Sequence, residues 1–164
     1  MSAIALFIQL PVSAIEGLRA AAVPKRKWYG APKDTYWQYL REQGRETAKF
    51  EWSGYVYNSL LPYLEEKHQI VIEKSESEYD ELAECLAKCR QVSHAILTPA
   101  MKQNYLDRLK PELFPAQEML DYHNEFTGRP EGPEYVKAMQ DGIAALHESL
   151  SRLEDGYITL FIIG

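Results

Sequence analysis

Two nearly continuous apolar runs stand at the ends of the chain, and between them the polar and apolar positions fall mostly at helical spacing. Residues 3 to 10, AIALFIQL, are rich in β-branched and aromatic side chains and are closed by Pro11, which predicts a strand covered on both faces. Residues 157 to 163, YITLFII, have the same character and follow Asp155-Gly156, a ready turn. Each run needs cover on both faces, so the two are expected side by side in the middle of one sheet. Gln69-Ile70-Val71-Ile72 and His94-Ala95-Ile96-Leu97 are too short for helices and are read as the remaining strands.

Helices are expected elsewhere. Pro11-Val12-Ser13 opens one with Ile15, Leu18 and Ala22 on a face. Pro32-Lys33-Asp34 starts a second with Tyr36, Trp37, Tyr39 and Leu40 as its apolar stripe. A third runs from about Ser53 to His68 and contains Pro62, which should bend or break it. Ser75, with Glu78 three residues on, forms a capping-box pattern ahead of Tyr79, Leu82 and Leu86. Pro99 opens a fifth helix that Pro111 and Pro115 divide, and a last one from about Gly132 to Glu154 carries Met139, Ile143, Leu146 and Leu150 at helical spacing. The predicted fold is a single α+β domain over residues 1–164, with a small mixed sheet of about four strands packed by about six helices.

Composition agrees with that organisation. At 164 residues, 46% apolar and 26% charged, the chain can bury one core without a metal or a disulfide. Cys85 and Cys89, four apart on a predicted helix, are poorly placed to bridge, and a reducing cytoplasm is the expected setting. The N-terminal apolar run is short and has no basic residue before it, so it reads as a strand and not as a signal peptide. No stretch is apolar enough to span a bilayer, and no membrane partner is expected. A net charge of -6 disfavours nucleic acid, because phosphate-binding domains present a basic field.

The charge is unevenly spread. Lys25-Arg26-Lys27 and Lys33 flank Trp28-Tyr29, a combination that could grip a phosphate or an unstacked base but has few charges to do it with. Positions 65 to 84 are strongly acidic, and Glu76, Glu78 and Glu81 are the residues selected there for steering a basic partner. Aromatics concentrate between positions 28 and 63. Tyr55 and Tyr57 alternate with Val56, and both are taken as candidate contacts for a protein partner, since tyrosine supplies contact area at low entropic cost.

Catalytic patterns are not identified. His68, His94, His123 and His147 lack the spacing of metal ligands, no cofactor motif is present, and no serine stands in a nucleophile elbow. Glu118, Asp121 and Glu125 lie at helical spacing near His123 and read as a solvated acidic face. Gly128 to Pro133 is a turn-rich connection that could move or bind. An enzyme or ligand-binding domain would have to use His94 or His123 with a carboxylate in a cleft.

The opening IALFIQLPVSAIEGLRAA, the aromatic helix with Tyr36, Trp37 and Leu40, and the ending GYITLFIIG together resemble the YfbM-like, DUF1877 family of small bacterial proteins. The ends carry the likeness, and the middle agrees in element order. The resemblance implies a terminal-strand α+β fold and supplies no catalytic residues. Because members are similar to proteins found near bacterial toxin genes, it also implies an immunity role. The sequence reading is therefore a cytoplasmic immunity-type protein that neutralises a cognate toxin by direct contact, with a small histidine-carboxylate enzyme or ligand-binding domain as the alternative.

Overall fold

The two terminal runs form the centre of one sheet. Strand β1 (Ala5–Pro11) pairs antiparallel with the last strand, β4 (Tyr157–Ile163), from Ala5 opposite Ile163 to Pro11 opposite Tyr157. The pairing is continued by reciprocal hydrogen bonds between Ile4 and Gly164. β3 (Ser93–Leu97) adds to the far side of β4, and β2 (Arg45–Ala48) to the far side of β1, giving the order β2-β1-β4-β3. All three pairings are antiparallel, so the sheet is not mixed. The computed structural model describes residues 3–24 and 34–164. The basic and aromatic cluster Lys25 to Tyr29, Pro32 and Lys33 lie outside the described residues.

Seven α-helices among the described residues cover both faces of the sheet: α1 (Ile15–Ala22), α2 (Tyr36–Gln43), α3 (Tyr57–His68), α4 (Ser77–Arg90), α5 (Pro99–Tyr105), α6 (Ala116–Thr127) and α7 (Pro133–Arg152). Strand alternation sorts the core. Phe7, Ala95 and Phe161 point to the layer of α3, α6 and α7, whereas Leu10, Ile96, Leu160 and Ile162 point to that of α1, α2 and α4. Phe7 and Phe161, adjacent on β1 and β4, stack at 4.6 Å between ring centres.

The expected strand at Gln69 to Ile72 does not form. Gln69 ends α3 in the left-handed conformation (φ 51°), and the Ile70 N–H closes on the Leu64 carbonyl at 3.0 Å. The chain turns back under the helix, and Ile70 and Ile72 plug the core as irregular backbone. The fourth strand is instead the polar segment Arg45–Ala48. Its register slips opposite Phe7 and Ile8, a bulge that turns the consecutive residues Thr47 and Ala48 both inward. Thr47 Oγ1 then lies 2.8 Å from Ser149 Oγ on α7.

The expected capping box at Ser75 is also replaced. Glu76 precedes α4, and Ser75 donates from its backbone N–H (2.7 Å) and its hydroxyl (3.2 Å) to Asp80 Oδ1. Pro62 sits inside α3 without dividing it. Two other proline boundaries fall as expected, with α5 beginning at Pro99 and α6 following Pro115. No helix among the described residues is long and apolar enough to cross a membrane.

Candidate functional site

Ser53 accepts a hydrogen bond from the Tyr55 N–H at 3.4 Å and starts a single 3-10 turn, Gly54–Val56, that runs directly into α3. The helical progression, not strand alternation, decides where the two tyrosines point. Tyr55 is 52% exposed. Tyr57 is wholly buried: its hydroxyl donates to the Gly142 carbonyl at 3.1 Å and its ring packs edge-on against Phe161. Tyr57 is therefore a core residue, which corrects its assignment as a partner contact. A Cβ at Gly142 of α7 would stand 2.7 Å from a Leu60 methyl of α3, so the two helices pack closely at this point.

Beside Tyr55 opens a cleft of about 400 Å³ between α3, α6 and the start of α7. Its other rim is Phe126, the last aromatic of α6 and 50% exposed. Its floor is His123, one turn earlier on the same helix and only 4% exposed. The His123 ring lies on Tyr135 of α7 with 3.7 Å between ring centres, and its Nδ1 is 2.8 Å from Ser59 Oγ of α3. Ser59 Oγ also lies 3.3 Å from the Val56 carbonyl, which can only accept; with the Ser59 proton placed there, its oxygen accepts from Nδ1–H. That tautomer leaves Nε2 as a bare acceptor, and Nε2 has no hydrogen-bond partner among the described residues. Burial lowers the His123 pKa, opposed in part by the charge of Glu131.

A stapled loop brings charge to the same cleft. Gly128 ends α6 at φ 64°, a conformation that suits glycine. The Thr127 hydroxyl donates to the His123 carbonyl at 2.8 Å, and Asn124 Oδ1 accepts from the Glu131 N–H at 2.8 Å. Arg129 and Glu131 line the opening from this loop, and neither is in an ion pair among the described residues.

Glu76, Glu78 and Glu81 are all exposed, but on and just before α4, in the layer across the sheet from the cleft. The acidic and aromatic candidates therefore do not merge into one patch. His94 is tied into that same layer, 2.7 Å from the Tyr36 hydroxyl through Nε2 and 2.9 Å from the Val92 carbonyl through Nδ1. Among the described residues neither His94 nor His123 is hydrogen-bonded to a carboxylate, although Glu131 lines the same cleft as His123. The histidine that does meet one is His68, whose Nε2 is 3.2 Å from Glu118. The buried Tyr63 hydroxyl donates to the same Glu118 oxygen at 2.6 Å, and that bond chiefly holds the carboxyl below its ordinary pKa.

Phe126, Ser59 and Tyr135 also line the cleft and were not site candidates from sequence, whereas Arg129 and Glu131 belong to the Gly128 to Pro133 connection read as able to move or bind. Phe126 stands three residues after His123, a spacing that places both on one side of a helix. The contribution of α3 and α7 depends on packing between distant segments. Compared with known protein families, curated proteins and solved structures, the chain matches none.

Proposed function

We propose that the protein acts by binding another protein, as a cytoplasmic immunity-type factor that covers a cognate toxin, with Tyr55 and the adjoining cleft at the centre of the contact. The observation that carries this reading is the exposure of two large aromatic rings, Tyr55 and Phe126, on either side of a cleft whose floor is rigidly packed. Aromatic side chains supply a large contact area for few rotatable bonds, which is why tyrosine recurs among residues that dominate interfaces. The resemblance to the YfbM-like family supports the same class of partner. The net charge of -6 and the exposed Glu76, Glu78 and Glu81 suit a basic toxin, drawn in by the field of the whole surface and not by a contact at the cleft itself.

The test is titration of the purified chain with the product of the neighbouring reading frame, together with co-expression of the two. A one-to-one complex that relieves toxicity, and that Tyr55→Ala weakens, supports the proposal. Absence of both complex and protection overturns it.

The second reading, a small enzyme or ligand-binding domain, is favoured by the free Nε2 of buried His123 at the cleft floor. It requires a small molecule to bind there without any protein partner.

A further inference from the structure

We infer that the cleft is a socket for one aromatic side chain bearing a hydrogen-bond donor, a tyrosine or tryptophan of the partner, with its ring against Phe126 and Tyr55 and its O–H or N–H on His123 Nε2. This rests on the protein-binding reading above and specifies what the partner inserts.

Three features select that group. The first is the acceptor. His123 is buried, its ring is clamped between Ser59 and Tyr135, and with the Ser59 O–H on the Val56 carbonyl the remaining ring nitrogen, Nε2, is an acceptor. An occupant that excludes water must give it a proton donor or leave a buried polar atom unpaired. The second is charge. Arg129 and Glu131 line the same opening with opposite signs, so the cleft offers no net charge that draws an ionic group in preference to a neutral one. The third is shape. The exposed rings of Tyr55 and Phe126 offer faces and edges on which another ring packs favourably, and a flexible aliphatic chain gains less from them.

Phenol and indole join a large ring, neutral throughout the physiological range, to a strong donor. Phenylalanine fills the space but abandons Nε2, and serine or asparagine bonds Nε2 but leaves the rings uncovered.

The experiment titrates the intact protein with N-acetyl-L-tyrosinamide, N-acetyl-L-tryptophanamide and N-acetyl-L-phenylalaninamide, following the imidazole nitrogens and backbone amides by NMR. The tyrosine and tryptophan amides are expected to bind in the millimolar range and to shift His123 Nε2, with the phenylalanine amide about tenfold weaker. Phe126→Ala, at an exposed position, should abolish measurable binding of the tyrosine amide while the rest of the spectrum is unchanged. His123→Phe should keep ring packing on Tyr135 and equalise the three amides. Failure of the first two amides to bind overturns the inference, as does binding that leaves His123 undisturbed or a phenylalanine amide that binds equally well. A toxin complex sensitive to Tyr55→Ala but indifferent to Phe126→Ala would leave the protein-binding reading standing and the socket refuted.

Discussion

The Tyr36 hydroxyl and His94 Nε2 are 2.7 Å apart in the layer of α1, α2 and α4, joining a helix to the edge strand. The Val92 carbonyl, 2.9 Å from Nδ1, accepts the imidazole proton, so Nε2 is unprotonated and accepts from the phenol. Tyr36 is fully buried, and the Arg90 guanidinium lies over its ring at 4.8 Å while pairing with Asp34. Burial keeps the phenol protonated, far above its ordinary pKa, and thus a permanent donor. Tyr36→Phe removes the donor and strands Nε2. The expected loss is about 1–3 kcal/mol, read as a lower urea midpoint with an unchanged slope at neutral pH.

Histidine burial also sets the acid limb of stability. Desolvation lowers the pKa of both His94 and His123 relative to the unfolded chain. Below the ordinary histidine value of about 6.5 the unfolded state therefore binds more protons, and stability falls as pH drops toward the lowered folded values. Asp34, Glu118 and Asp141 are shifted downward as well, but their contributions persist until pH falls below the ordinary carboxylate range. Urea midpoints should accordingly decline in two stages, the first setting in below about pH 6.5. His94→Gln, whose amide does not titrate there, should make the first stage shallower, leaving the part due to His123, and spare the second; an equally steep first stage in this variant would refute the assignment.

Sequence pattern located the parts of the fold that declare themselves in one segment. The terminal strands were legible because both faces of each are covered and their apolar runs are nearly continuous. β2 was not, because Arg45 and Glu46 are exposed at the sheet edge and its inward residues are Thr47 and Ala48 at a bulge. Ile70 and Ile72 carried a strand-like signal that a left-handed Gln69 diverted into a loop plug. At the cleft, Tyr55 and His123 were each visible as candidates, yet nothing local said that they would meet. Their meeting depends on α3 and α6 packing, and the fate of Tyr57 on whether one strand or one helical turn precedes it.

The α4 carboxylates make a kinetic prediction. Reversing Glu76, Glu78 and Glu81 to lysine should slow association with a basic toxin several-fold at low salt and leave dissociation nearly unchanged, since exposed charges act on encounter and are screened as salt rises. Stopped-flow mixing at two ionic strengths measures this. Equal association rates for the reversed and native proteins would assign the whole contact to the cleft.

Tyr55 and Tyr57, two residues apart, should fail in opposite ways. Tyr55→Ala removes an exposed ring and breaks no side-chain hydrogen bond, so the melting curve should be unmoved while dissociation of the complex accelerates by about 2 kcal/mol. Tyr57→Ala empties a site enclosed by Phe7, Phe50 and Phe161 and leaves the Gly142 carbonyl without its donor, at an expected cost of about 3–5 kcal/mol in folding. Tyr57→Phe keeps the ring and isolates the hydrogen bond; its loss should be about 1–3 kcal/mol, and the folded fraction should bind the partner with native affinity. A weakened complex in Tyr57→Phe at full folding would mean that the buried phenol acts on the cleft through α3. A weakened complex in Tyr55→Ala alone places recognition at the exposed ring.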